Sequence, residues 1–150
     1  MGSVAALNGL DVFAANIWNA CLQAPSSQKD FIICGEEFGL ENVGKVALIH
    51  RALYGGKKAG SDFRNHLISC MRHLDSTSCL ADPGVWVRPS NMNDSTSYYE
   101  YILFYTNDAL VIIHHAAETL KELGRYFELK HELICPPKIY LGGRCRKVQL

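Results

Sequence analysis

Apolar and polar positions along this chain fall into blocks with two different periods. From Tyr98 to His115 the chain reads YYEYILFYTNDALVIIHH. Two apolar runs, Tyr101–Tyr105 and Ala109–Ile113, flank the polar tripeptide Thr106-Asn107-Asp108. Both runs are rich in β-branched and aromatic side chains, and the Asn-Asp pair between them is a hairpin signal. The runs are apolar on both faces, which predicts a hairpin buried in the middle of a sheet. From Ala59 to Leu74 the period changes. Phe63, Leu67, Ile68, Cys70 and Met71 recur at helical spacing and leave Arg64, Asn65, Arg72 and His73 on a polar face. A second helix is predicted from Ala116 to Leu129, where Leu120, Leu123 and Phe127 recur. Within it, Glu118–Lys121 and Glu122–Arg125 are spaced to pair.

Shorter elements fill the gaps. Leu7 to Leu22 reads as a strand followed by a short helical turn, ending at the loop Gln23–Ser27. Phe31–Cys34 and Val46–Ile49 are short strands, and Leu53-Tyr54-Gly55-Gly56 is a turn of permissive backbone. Asp75–Cys79 reads as a loop, Asp82-Pro83-Gly84 as a turn and Val85–Val87 as a strand. Pro89 to Ser97 reads as a polar hairpin tip. After the break at Pro136-Pro137, Ile139–Leu150 reads as a final strand interrupted at Gly142-Gly143. These elements predict an α+β fold, with helices on one face of a mainly antiparallel sheet. The order strand, helix, hairpin, helix, strand resembles the ferredoxin-like arrangement, which is also that of a polymerase palm.

Composition changes the picture little. The 150 residues favour one domain, and 48% hydrophobic with 20% charged residues is a globular balance. Fifteen basic and fifteen acidic residues cancel, which argues against an independent nucleic-acid binder. No charged and then apolar leader opens the chain, so secretion is not expected. Ala6 stands where myristoylation after Gly2 wants Ser or Thr. The longest apolar stretch is the hairpin, too short to span a bilayer, so the expectation is an intracellular protein with no membrane partner. Cys21, Cys34, Cys70, Cys79, Cys135 and Cys145 form no CxxC pair and have no histidine at zinc-finger spacing. They read as reduced, mostly buried thiols. His114 and His115 follow a strand directly, so they should point to opposite faces and not share a metal.

Asp108 remains as a lone carboxylate at the tip of an apolar hairpin, ordinarily a turn former. Tyr105-Thr106-Asn107-Asp108, however, resembles the Tyr-x-Asp-Asp tetrapeptide of reverse transcriptases with its first Asp changed to Asn. Other segments are similar to copia-type retrotransposon reverse transcriptases in the same order. Asn16-Ile17-Trp18-Asn19-Ala20-Cys21-Leu22 resembles the first catalytic motif, Asp-Val-x-x-Ala-aromatic-Leu. The segment Ala52-Leu53-Tyr54-Gly55-Gly56-Lys57-Lys58-Ala59-Gly60 resembles Leu-Tyr-Gly-Leu-Lys-Gln-Ser/Ala-Pro. Ala81–Trp86 is similar to Ser-Asp-Pro-Cys-Leu-Phe, and Leu103–Ala109 to Leu-x-Tyr-Val-Asp-Asp-Ile. Leu120–Lys130 resembles the helix ending in Arg-Phe-Glu-Met-Lys, and Tyr140-Leu141-Gly142-Gly143 resembles the primer-grip strand Phe-Leu-Gly-Ile. The six motifs run from about Leu10 to Leu150. They imply a single partial reverse transcriptase domain over residues 1–150, a palm with part of the fingers. Thumb and ribonuclease H fall outside it.

The resemblance also implies what is missing. The family holds two Mg²⁺ ions on three aspartates and extends a primer on an RNA or DNA template. Those positions are Asn16, Asn107 and Asp108, so Asp108 alone remains as a weak ligand. Each lost charge contact is worth about 4 kcal/mol at 4 Å with an effective dielectric near 20. No cofactor is therefore expected on the chain as it stands. At the nucleotide site, Cys21 replaces the aromatic that excludes a 2′-hydroxyl, and Lys58 replaces the family's Gln. Arg51, Lys57, Arg64, Leu141, Gly142 and Gly143 match positions facing template and primer. The expected function is thus a degenerate, inactive reverse transcriptase domain of a Pol polyprotein, whose remaining domains are the expected partner.

Two alternatives stand beside it. One is an active fragment rescued by Asp11, Asp108 or a partner chain. Leu10-Asp11-Val12 also resembles the motif's Leu-Asp-Val, but Asp11 lies five residues from Asn16, roughly 16 Å along a strand and on the opposite face. The other is a nucleic-acid- or protein-binding module using Arg51, Lys57, Lys58, Arg64, Arg144, Arg146 and Lys147. With the overall charge neutral, a solvated surface is the better reading of those cations.

Overall fold

The computed structural model describes residues 5, 9–130 and 134–146. Lys147 and the end of the predicted final strand lie outside the described residues, as do Leu7 and Asn8. In chain order the first elements are β1 (Asp11–Asn16), α1 (Ala20–Gln23), β2 (Phe31–Ile33), β3 (Val46–Leu48) and α2 (Ala59–His73). There follow β4 (Thr77–Ser78), β5 (Val85–Asn91), β6 (Ser97–Tyr105), β7 (Asp108–Ile113), α3 (Ala116–Leu123), β8 (Ile139–Tyr140) and β9 (Gly143–Arg144). The chain divides into two compact units, Asn19–Ser69 and the combination of Met1–Trp18 with Cys70–Leu150.

The larger unit is built on a five-stranded antiparallel sheet in the order β1-β7-β6-β5-β4. The predicted hairpin is β6–β7, and it does occupy the middle. The helix α3 packs on β1 and β7. From β7 the side chains of Ala109, Val111, Ile112 and Ile113 are buried, joined by Ile102, Trp86, Leu120, Leu123 and Phe127. Each of the valine, isoleucine, leucine and phenylalanine side chains, fully buried, contributes roughly 1.5–3 kcal/mol. Ile112 also forms a second cluster with Ala5 and Leu10, against which Val12, Tyr101, Leu103 and Leu110 pack. The fold is α+β, as the pattern predicts.

Past β1, on its other edge, the chain returns antiparallel. The Trp18 N–H donates to the Glu128 carbonyl at 2.8 Å, the Lys130 N–H to Asn16 at 2.9 Å and the Ala14 N–H to Cys135 at 2.9 Å. Counting this return segment, the order segment, β1, β7, β6 is that of the split β-α-β unit.

This return corrects the predicted second helix. It ends at Leu123, not Leu129. Phe127 sits at helical spacing from Leu120 and Leu123 and is buried, but residues 128–130 place backbone groups on the open edge of β1 instead. The expected Glu122–Arg125 pair is also replaced. Glu122 accepts from Arg88 Nη2 at 3.0 Å, while Arg88 Nε closely contacts the buried carboxylate of Glu100, its cross-strand neighbour. Arg88 further reaches the Thr119 hydroxyl at 3.2 Å, which joins β5 and β6 to α3.

Two loops and the final strand are also corrected. Thr77–Ser78, predicted as loop, is the edge strand β4. The predicted tip Pro89–Ser97 shrinks, because β5 runs on to Asn91 and pairs with β6 as far as Ser97. Proline is tolerated there, since β4 pairs with β5 only up to Val87 and leaves that edge free. The final strand is a two-stranded hairpin, β8–β9, with Leu141 (φ 47°) and Gly142 (φ 79°) at its turn. Leu141 and Gly142 therefore sit at a turn tip and not along a grip strand.

In the smaller unit β2 and β3 form an antiparallel ribbon, with Phe31 opposite Leu48 and Ile33 opposite Val46. Arg51 Nη1 donates to the Gln23 carbonyl at 2.9 Å, and the Ala52 N–H to Ala24 at 3.0 Å. Near the start of α2, Asp62 accepts from the Ser27 N–H at 3.1 Å.

Candidate functional site

The site begins with the turn of the central hairpin. Tyr105 pairs with Asp108, so the loop is only Thr106-Asn107, and Thr106 adopts φ 55°. The predicted three-residue turn is thus one residue shorter. Asp108 becomes the first residue of β7. A β-branched residue at positive φ is strained, a cost of about 1–3 kcal/mol held by the pairing on both sides.

On the other side of β7, Asp108 stands opposite Asn16, the last residue of β1. Asn16 Nδ2 donates to Asp108 Oδ1 at 2.6 Å. The amide must present its nitrogen, because two oxygens at that distance need a proton between them. Asn107 faces the same junction. Its Nδ2 donates to the Ile17 carbonyl at 3.3 Å, while the Ile17 N–H donates to the Asn107 carbonyl at 2.8 Å. Asn16, Asn107 and Asp108 therefore converge at one end of the sheet. Asn16 Oδ1 is buried and, among the described residues, has no hydrogen-bond partner.

Two neighbours complete this junction, and the sequence reading missed both. Tyr140, on β8, has its phenol pushed above the ordinary range, chiefly by burial and then by the Asp108 carboxylate beside it. It heads the Tyr-Leu-Gly-Gly segment, a signal present in the sequence but credited to the three residues after it. Lys130 Nζ lies 4.9 Å from the centre of the Trp18 ring, a cation–π contact.

These residues do not fit a two-metal centre. Mg²⁺ asks for near-octahedral oxygen ligands, several of them charged. Here one carboxylate is present, and one of its oxygens is engaged by an amide N–H. Both amide nitrogens point at acceptors, not away from them. Among the described residues, no group of three or more His, Cys, Asp and Glu side chains is placed to hold a metal.

Asp11 stands at the far end of β1, opposite Ile113, and does not join the junction. Cys21, Arg51, Lys57, Lys58 and Arg64 belong to the smaller unit, and the four cations are exposed. The Cys21 thiol is half-buried, and burial pushes its pKa up. Leu141, Gly142 and Gly143 belong to the larger unit and are exposed, as are Arg144 and Arg146. His114 and His115 depart from the prediction of opposite faces. Because β7 ends at Ile113, both lie in the turn before α3, and their rings sit 4.5 Å apart at 54°. The Tyr98 hydroxyl accepts the His114 N–H at 3.4 Å.

Among the described residues no helix is long and apolar enough to cross a membrane. Comparison with protein-family models, curated proteins and solved structures finds no match to this chain.

Proposed function

We propose that this chain is a copia-type reverse transcriptase domain, a palm with part of the fingers, that has lost its polymerase chemistry. Six motifs in sequence order support the family reading. The observation that carries the loss is the 2.6 Å contact from Asn16 Nδ2 to Asp108 Oδ1. In a working site these two positions would both be carboxylates, repelling one another until divalent ions lay between them. With an amide at Asn16 the pair satisfies itself, and Asn107 donates to the backbone of Ile17 in the same way. Template–primer and the remaining Pol domains are the partners this lineage implies.

The test combines primer extension with calorimetry. Purified protein with template–primer, deoxynucleotides and Mg²⁺ or Mn²⁺ should show no extension above background. Titration of Mn²⁺ should show binding by the Asn16→Asp/Asn107→Asp double variant and none by the wild type. Metal binding should return before polymerisation does, because positioning of primer and triphosphate is worth roughly 7–11 kcal/mol of barrier. Equal Mn²⁺ binding by both proteins would refute Asn16 and Asn107 as lost ligand positions. Extension by the wild type would refute the inactive reading.

A further inference from the structure

Away from the Asn16–Asp108 junction, a cavity of about 670 Å³ opens along α3 and the segment that follows it. Its floor is apolar. Leu120, Phe127 and Leu129 line it, and each is at most 6% exposed. Ala117 and Tyr126 form exposed walls. At the rim stand Lys121 and Arg125, one helical turn apart and both exposed. Among the described residues neither cation has an ion-pair partner. Glu128 is the one acid among the lining residues, and it too is exposed.

The volume lies in the range of small-molecule sites, which combine an apolar body with a few placed polar groups. Two unpaired cations beside an apolar floor favour negative charge at the rim. We propose that this cavity binds a small amphiphilic anion. Its apolar body would lie on Leu120, Phe127 and Leu129, and its carboxylate or sulfonate would sit between Lys121 and Arg125. Arginine suits this role, because its planar fork takes both oxygens of a carboxylate. The proposal does not depend on the polymerase lineage, since no residue of that junction lines the cavity.

The probe is the anionic dye 1-anilinonaphthalene-8-sulfonate, titrated into the full chain while backbone amide shifts are followed by NMR. Saturable shifts are expected at Ala117, Gly124 and Tyr126. The uncharged analogue N-phenyl-1-naphthylamine should bind at least tenfold more weakly. Lys121→Glu with Arg125→Glu should weaken the dye at least tenfold, and Ala117→Trp, which fills the groove from an exposed wall, should abolish the groove shifts. Lys121→Met with Arg125→Met keeps the aliphatic stems and should weaken the dye in the same direction. Shifts confined to other surfaces such as Phe31, Ile33 and Val46, or equal affinity for the two dyes, would overturn the proposal. The wild-type shift map alone decides its place and needs no variant to fold.

Discussion

At the scale of single residues, one atom decides the chemistry. Exchanging a carboxylate oxygen for an amide nitrogen keeps the shape of a side chain and reverses what one of its ends offers. At Asn16 the amide donates a hydrogen bond of 2.6 Å to Asp108, where a carboxylate would repel it. The amide at Asn16 is legible in the sequence, but its partner is not, because 92 positions separate the two. A carboxylate that keeps its charge behaves differently. The Asp62 carboxyl is held below its ordinary range, first by the Ser27 side chain, then by the Ser27 backbone N–H. A lowered folded-state pKa contributes stability above the unfolded value, near about 3.9, and that stability is lost as pH falls through the folded value. Asp62→Asn should therefore melt at a lower temperature than wild type at pH 7, with the gap closing in acid. A gap that widens in acid would overturn the assignment.

At the scale of elements, periodicity was a good guide wherever one face was buried. It located α2 and the central hairpin; the short strands β2 and β3 also stand where the sequence places them, although their side chains are largely exposed. It misled at Phe127, which keeps the helical period of Leu120 and Leu123 past the end of α3, just before Leu129 pairs with Ile17 at the edge of β1. No pattern of side chains reports which backbone groups a distant edge will take. The turn before β5 offers a test. A Cβ on Gly84 would lie 2.8 Å from the Phe104 carbonyl oxygen, which is backbone and cannot swing aside. The Phe104 N–H also donates to the Gly84 carbonyl at 2.8 Å, fixing the approach. Gly84→Ala should cost about 1–3 kcal/mol in urea unfolding, the usual range for overpacking. Unchanged stability would show that the turn relaxes freely.

At the scale of the whole molecule, the charge balance and the exposed apolar surface act together. Phe31, Ile33, Val46 and Leu48 share one face of the β2–β3 ribbon and are 50–69% exposed. Charges of fifteen and fifteen provide no net repulsion between copies. Contiguous apolar faces of this kind drive association or aggregation. Sedimentation should therefore show concentration-dependent self-association at neutral pH. Ile33→Lys with Val46→Lys, at paired positions on that face, should suppress it. A monodisperse wild-type monomer with a sharp thermal transition would count against the prediction.

What the amino-acid sequence determined by itself was local: the two periods, the turn residues, the absence of paired cysteine motifs, and the amides at Asn16 and Asn107. These follow from side chains read along the chain, where each residue's neighbours are known. The tertiary structure alone decided which strand edge the segment after α3 would cover, that Arg88 would take Glu122 from Arg125, and that Tyr140 would come to lie beside Asp108. Those outcomes depend on backbone groups and charges meeting across long loops. Their pairing is selected by what remains unsatisfied once the core has formed.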